Sequence, residues 1–283
     1  MIRQPAAAGM MYPKDKKQLI ELIERCFKNE KLGPSKLPDT TKKHDRTGEI
    51  FGLIAPHAGY VYSGPIAAHA YLQQFNDGNP EFFVIIGPNH RNIGPRISVY
   101  PEGEWETPLG KVSIAEKIAE KLINEAYFRS DTSAHMMEHS LEVHVPFLQY
   151  LYGDDLSIVP ICLKDQSKDM SIRVGNVISD VLKEHDYCMI ASTDLTHYES
   201  HTSASSKDQH VIDAIKNLNA NALYEEITEK QISMCGPGAV ASILTAAHHN
   251  NVKNSKILKY GTSGEVSGNK TQVVGYVSAI LTK

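Results

Sequence analysis

The chain has 283 residues, with 29 Lys and Arg against 33 Asp and Glu, a formal net charge of −4 and a pI near 6.3. This balance excludes the basic surface that nucleic acid or an anionic membrane would need. We therefore expect a small-molecule or peptide ligand and neither a nucleic-acid nor a membrane partner. No apolar run reaches the roughly 18 residues of a membrane span and no signal-peptide pattern is present, so a cytoplasmic protein is expected.

Helix-like and strand-like patterns alternate along the chain, which indicates an α/β fold with a mostly parallel or mixed central sheet flanked by helices. Gly33–Gly48, with two prolines and a charge cluster, is predicted to be a loop. The predicted elements, in chain order, are helix Lys16–Lys28, strand Glu49–Ala55, helix Pro65–Phe75, strand Phe82–Ile86, helix Ile114–Glu125, strand Leu156–Leu163, helix Lys168–Lys183, strand Tyr187–Ser192, helix Ser206–Leu218, helix Pro237–His249, strand Lys256–Gly261 and strand Gln272–Leu281.

Two of the predicted strands are each followed by a histidine. His57 comes after the first strand and Pro56, and His90 comes after the second strand and Gly87-Pro88-Asn89. Ligands in open α/β sheets collect outside the carboxyl ends of the strands, and neutral imidazole is a common ligand of transition metals. The repeated pattern predicts a metal site at this edge.

The strand Tyr187–Ser192 brings Asp194 and His197 to the same predicted edge. A third metal ligand is expected from Cys235, which precedes the predicted helix Pro237–His249. The positive end of that helix is expected to favour the thiolate, the form that binds metal. The four cysteines are widely spaced without a C-x-x-C pair, so neither a disulfide framework nor a zinc ribbon is predicted.

The segment Glu138–Pro146 is a dense polar cluster. If it is helical, His139 and Glu142 share a face, whereas His139 and His144 do not, and Pro146 kinks the helix. This spacing is not that of the zinc proteases. We expect one histidine of this segment to act as an acid or base or to orient a metal ligand, and His139 is the preferred candidate.

Simpler interpretations stay open at each position. His57 or His90 could be a hydrogen-bonded structural residue, and Cys235 could be a small buried apolar residue. Asp194 could cap the segment that follows it, and His197 could be solvated. The Gly264 and Gly268 region could bind an anion, although a flexible hairpin fits it better.

Ordered motifs cover nearly the whole chain and resemble those of the Memo family. They are the opening R-x-P-x-x-A-G-x-M-Y-P from Arg3, I-A-P-H-A-G-Y around His57, G-P-N-H ending at His90, E-H-S-L-E-V-H-V-P from Glu138, S-T-D-L-T-H ending at His197, M-C-G around Cys235, Y-G-T-S from Tyr260 and G-Y at Gly275. Met11 stands where the family usually has an aromatic residue.

The resemblance implies a single domain over residues 1–283 with a fold like that of class III extradiol dioxygenases. It maps metal ligands onto His57, His90 and Cys235, and it places Asp194, His197, His139 and His144 around the pocket. The family's alternative name, AmmeMemoRadiSam system protein B, implies a functional link to a radical-SAM protein. Ring-cleaving relatives have a glutamate where this chain has the cysteine.

Three functions follow as hypotheses. The first is a redox or dioxygenase-like protein with a non-haem Fe(II), or alternatively copper. In it, His139 or His197 moves protons, and Asp194 orients a histidine or a metal-bound water. The second is a non-catalytic module that binds a peptide or small acid in the same pocket. The third is a zinc-assisted hydrolase with Asp194 as the base.

Overall fold

The computed structural model describes all residues from 1 to 283. Its helices are α1 (Lys16–Lys28), α2 (Tyr60–Asp77), α3 (Glu116–Ile123), α4 (Val145–Tyr152), α5 (Lys168–Leu182), α6 (His201–Lys216), α7 (Ala220–Lys230), α8 (Pro237–His249) and α9 (Gly264–Ser267), with a 3-10 turn at Glu142–His144. Its strands are β1 (Ile2–Arg3), β2 (Ile50–Ala55), β3 (Phe82–Pro88), β4 (Ile97–Val99), β5 (Glu104–Thr107), β6 (Gly110–Ile114), β7 (Phe128–Ser130), β8 (Ser157–Leu163), β9 (Tyr187–Ser192), β10 (His197–Glu199), β11 (Asn254–Thr262) and β12 (Val273–Thr282).

The strands form one mixed sheet, which confirms the predicted fold class. A parallel block with the order β6, β8, β3, β9, β2 lies at its centre. Antiparallel pairing adds β12 beside β2, then β11 beside β12, and joins β5 to β6. The β2, β3, β8 and β9 strands are almost continuously apolar and buried, as expected for strands covered on both faces.

The central sheet lies between two helical layers. The crossover from β2 through α2 to β3 runs in one direction along the sheet, and the crossover from β8 through α5 to β9 runs in the other. Because both crossovers are expected to be right-handed, they place α2 and α5 on opposite faces. The α1 and α4 helices pack with α2, and the α3, α7 and α8 helices pack with α5. None of the helices is long and apolar enough to cross a bilayer.

Most predicted elements are present with shifted ends, and the loop at Gly33–Gly48 contains neither helix nor strand. The α2 helix begins at Tyr60, earlier than predicted, and includes Pro65. The predicted kinked helix over 138–146 is wrong. His139 lies in an irregular segment before the 3-10 turn, and Pro146 lies in the first turn of α4, where a missing amide costs no helical hydrogen bond. The Gly264 and Gly268 region connects the antiparallel strands β11 and β12, as the predicted hairpin requires, and it contains the short α9 helix.

Candidate metal centre

The carboxyl ends of β3, β9 and β2 lie side by side and present a polar cluster. His90 follows β3, Asp194 follows the central β9, and His57 follows β2. Cys235 reaches the same point from the segment before α8. The ligand atoms of His57, His90 and Cys235 all lie within 4.8 Å of one another, so the structure brings the three predicted metal ligands together.

His57 is buried, with 2% of its surface exposed, and its ring orientation is set by a hydrogen-bond chain. The Ser192 hydroxyl donates to the Ser140 carbonyl at 2.6 Å, so it can only accept from His57 Nδ1–H, at 2.7 Å. The lone pair is therefore on Nε2, which lies 3.1 Å from Cys235 Sγ. Burial lowers the pKa of His57 well below its usual value, as do the nearby histidines, and this favours the neutral, metal-binding form.

His90 is held by Glu138 on both its backbone and its ring. Glu138 accepts the His90 backbone N–H at 2.6 Å, and its other carboxylate oxygen accepts Nδ1–H at 2.9 Å. Burial would raise the pKa of Glu138, but the hydrogen bond and the charge of His90 lower it to about 2. The carboxylate is thus ionised and fixes the tautomer of His90 with Nε2 free, as outer partners of metal-binding histidines do.

Cys235 Sγ accepts a hydrogen bond from the backbone N–H of Asp194 at 3.1 Å. The expectation that the helix N-terminus favours the thiolate does not hold for the metal-free protein. Burial raises the pKa of the Cys235 thiol and the Asp194 carboxylate raises it further, which outweighs that backbone hydrogen bond. Metal binding at this site would therefore release the thiol proton.

Two glycines allow α8 to come close enough for Cys235 to reach the histidines. A Cβ on Gly52 in β2 would lie 2.5 Å from the Ile243 side chain of α8. A Cβ on Gly236, directly after the cysteine, would lie 2.3 Å from the Ser192 carbonyl oxygen, which is backbone and cannot move aside. Larger residues at either position would push α8 away from the strand ends.

Asp194 and His197 lie on the segment that follows β9. One Asp194 carboxylate oxygen accepts the backbone N–H of His57 at 2.9 Å, and burial raises the pKa of this carboxyl to about 6 despite that bond. Asp194 therefore contacts two of the three ligands, through its carboxylate and its amide. His197 Nδ1 lies 2.7 Å from the Leu195 carbonyl, so it donates there and leaves Nε2 as the acceptor. His197 is not among the clustered ligand atoms.

The two histidines of the 138–146 segment have different surroundings. The His139 ring stacks on His90 with centroids 4.8 Å apart and meets His57 edge to face at 5.5 Å, so it lies beside the candidate metal ligands. His144 is buried in the core, where Nδ1 is hydrogen-bonded to the Tyr71 hydroxyl and Nε2 has no partner. Burial lowers the pKa of His144 to about 3, so this ring is neutral. Catalytic roles for these histidines stay predictions.

The sequence interpretation gave no role to Glu138 and Ser192, which orient the two histidine ligands. Glu138 was visible in the sequence as the acidic residue directly before His139. Its contact with His90 could not be predicted, because the two residues are 48 positions apart in the chain. Ser192 was visible as a polar residue at the end of an otherwise apolar strand, which is a usable signal because a hydroxyl there faces the ligand edge.

Comparisons with known proteins agree with this architecture. The family model described as Memo-like protein matches residues 3–280. A MEMO1 family protein of Thermotoga petrophila is 46% identical over 283 residues, covering 99% of this chain and all of the relative. One from Methanopyrus kandleri is 42% identical, with 99% of each chain covered. A solved structure of an uncharacterized protein from Escherichia coli K12 is similar in fold alone, with a TM-score of 0.54 and 13% identity over 80% of this chain and 98% of that chain. The chain therefore belongs to the Memo family.

Proposed function

We propose that this protein binds a redox-active transition metal, Fe(II) in first place, through His57, His90 and Cys235. The observation that carries the proposal is that both imidazoles have their Nδ1–H bound to an acceptor, Ser192 for His57 and Glu138 for His90. Each therefore offers its Nε2 lone pair close to the one thiol of the cluster. Imidazole and thiolate together suit iron, copper and zinc, and three protein ligands leave coordination positions for other molecules.

The site is open on one side, which supports a small-molecule substrate or a peptide end as its ligand. The His90 side chain is 32% exposed and the His139 side chain is 21% exposed, whereas His57 is buried behind them. A ligand would thus approach across His90 and His139. When bound, Fe(II) would supply electrons and Lewis acidity to a ligand at this open side.

The protein's own residues can hold and move protons around that position. His139 lies against both histidine ligands, where burial lowers its pKa and favours a neutral ring that can accept a proton. Asp194, with its pKa raised to about 6, can hold a proton near neutral pH on the β2 side of the site. That carboxyl also supports a second candidate, a zinc-dependent hydrolase with Asp194 as the base.

Metal titration tests the first proposal. Metal-free protein handled without oxygen should bind about one equivalent of Fe(II) or Co(II), and the Co(II) form should show thiolate-to-metal absorption. Cys235→Ala should abolish that absorption and weaken binding by more than the roughly 10- to 100-fold that loss of an outer partner of a ligand costs. Cys188→Ala, which removes another buried cysteine from β9, is the matched control and should leave binding unchanged. Absence of metal uptake by the wild type, or binding that ignores Cys235, contradicts the proposal.

The same samples separate the remaining functions. Oxygen uptake by the Fe(II) form that disappears in the Zn(II) form supports redox chemistry, whereas hydrolysis by the Zn(II) form under argon supports the hydrolase. Tight binding of a peptide or small acid in the presence of chelator supports a metal-independent binding module.

A further inference from the structure

A buried arginine at the N-terminus contacts the segment that carries Glu138. Arg3 is completely buried although it is the third residue of the chain. Its Nε donates to the His135 carbonyl at 2.7 Å, and one terminal nitrogen donates to the Glu138 carbonyl at 2.8 Å. The other terminal nitrogen donates to the Glu142 carboxylate at 2.5 Å. One planar guanidinium thus binds three oxygens of a single short segment.

Glu142 connects the same segment to further residues near the N-terminus, between positions 6 and 12. It is fully buried and, besides Arg3, accepts the backbone N–H groups of Ala6 and Ala7, each at 2.8 Å. The Tyr12 hydroxyl is its fourth donor, at 2.5 Å. Every strong acceptor position of this carboxylate is occupied, so its orientation is strongly constrained.

Glu138 lies between these attachment points. Its backbone carbonyl is held by Arg3, while its side chain binds the ring and the backbone of His90. A movement of the 135–142 segment would therefore change the distance from Glu138 to His90 and the stacking of His139 on His90. We propose that Arg3 and Glu142 are positioning residues that set the orientation of His90 through Glu138. This inference rests on the metal-binding function proposed above.

The chemistry of the pair favours a positioning role over a purely stabilising one. A buried ion pair contributes little net stability compared with apolar residues of the same volume, so its value lies in directional contacts. Arginine offers a rigid fork of donors that lysine cannot reproduce. Trp105 fixes the plane of that fork, because its ring centroid lies 4.2 Å from the guanidinium carbon.

The test is Arg3→Lys, with Arg46→Lys as the matched control. Arg46 also binds buried or partly buried carboxylates, those of Asp77 and Asp186, but it lies at the other end of the strands. Two readouts are needed: the imidazole nitrogen NMR signals of His90 in the metal-free protein, and the Co(II) affinity and spectrum. Arg3→Lys should shift the His90 signals away from the fixed Nδ1–H tautomer and weaken Co(II) binding by up to about 10-fold, less than loss of Glu138 itself, because Arg3 acts through that residue. Arg46→Lys should leave both readouts unchanged.

Unchanged His90 signals in a folded Arg3→Lys variant overturn the proposal, as does an equal effect in Arg46→Lys. If Arg3→Lys does not fold, Tyr12→Phe decides, because it removes one donor to Glu142 and keeps the ring. It should move the His90 signals in the same direction by a smaller amount, and no change in them overturns the proposal. The two proposals can fail separately. If the wild type binds no metal but the His90 signals still shift in Arg3→Lys, the metal-binding function is rejected and the positioning role of Arg3 is supported.

Discussion

The two ends of the central strands both contain buried charged groups, but only the carboxyl end brings imidazole and thiol atoms together. At the amino end, the carboxylate of Asp77 accepts hydrogen bonds from Arg46, Thr47 and the backbone N–H groups of Glu49 and Ile50. These bonds attach the loop before β2 to the end of α2. With all its acceptor positions occupied, this cluster can hold the fold together but has nothing to offer a ligand.

At the carboxyl end, each candidate histidine ligand binds an acceptor outside the ligand set through Nδ1 and leaves Nε2 for the ligand set itself. His57 is bound to Ser192 and His90 to Glu138, while a ligand atom of each ring lies within 4.8 Å of Cys235 Sγ. Burial and charge are therefore not what separates a structural cluster from a functional one. The distinguishing feature is a set of convergent imidazole and thiol atoms that can bind a metal once the thiol loses its proton.

Glu142 and Asp77 make this comparison sharper, because each is a buried carboxylate with four donors. Considered alone, the two clusters are equivalent. Only the Glu142 cluster is connected, through Arg3 and the Glu138 backbone carbonyl, to a residue that orients the proposed metal ligand His90. Stability and metal binding should therefore respond separately to substitutions at the two ends.

The largest effect on stability is expected from Arg46→Met at the amino end. This change leaves the Asp77 carboxylate buried without its positive partner, and breaking such a pair costs about 3 kcal/mol of unfolding free energy. Urea unfolding of the metal-free protein measures the loss. The Co(II) affinity of the folded variant should equal that of the wild type, and a parallel loss of affinity would show that the two ends are not independent.

The largest effect on metal binding from outside the ligand set is expected from Glu138→Gln. The amide keeps the shape but removes the charge that fixes His90, so Co(II) affinity should fall about 10- to 100-fold. Glu199→Gln is the control, because Glu199 binds Lys207 and Ser203 rather than a metal ligand. Equal Co(II) affinities in the two variants would show that Glu138 does not contribute to metal binding.

A smaller loss of metal affinity is expected from Ser192→Ala. His57 then loses the acceptor for Nδ1–H, and the expected decrease in Co(II) affinity is about tenfold, the lower end of the range for such partners. Ser179→Ala removes an equally buried hydroxyl that donates to a helix carbonyl in α5. It should lower stability slightly and leave the metal affinity unchanged. The opposite ranking of the two variants would contradict the assigned tautomer of His57.

The part of this arrangement that could be predicted from sequence is the part that depends on local pattern. His57, His90 and Asp194 follow apolar runs of strand length, and parallel strands bring such positions to one edge. The α7 helix was not predicted because Leu223 is its only fully buried residue, which leaves its apolar periodicity weak. The short β5 and β6 strands were missed for a similar reason, since few of their residues are buried.

The contacts that orient the ligands depend on pairings between distant residues, which no local pattern records. Arg3 and Glu142 are 139 positions apart, and their ion pair exists only because β1 joins the sheet beside β5. The helical interpretation of the 138–146 segment failed because tertiary contacts to Arg3, His90 and Pro88 hold its first residues in an irregular conformation.

The smallest effect is expected from Asp131→Asn, which tests whether every polar group near the carboxyl end affects metal binding. Asp131 accepts hydrogen bonds from Ser133 and the backbone N–H of Ala134 in its own turn and from the Ser98 hydroxyl in β4. Burial would raise the pKa of Asp131, but these bonds lower it below its usual 3.8. The ionised Asp131 carboxylate therefore makes its full contribution to the unfolding free energy above the ordinary pKa of 3.8. This contribution is lost as the pH falls through the lower pKa of the folded state.

Asp131→Asn should accordingly lower the unfolding free energy by under about 1 kcal/mol near neutral pH, since the carboxylate is only partly buried. The difference from the wild type should shrink as the pH of a urea-unfolding series is lowered below about 4. Metal affinity at neutral pH should be unchanged, because no hydrogen bond connects Asp131 directly to Glu138 or His90. A loss of Co(II) affinity in this variant would mean that the turn at Asp131, and not only the contacts of Arg3 and Glu142, sets the position of Glu138.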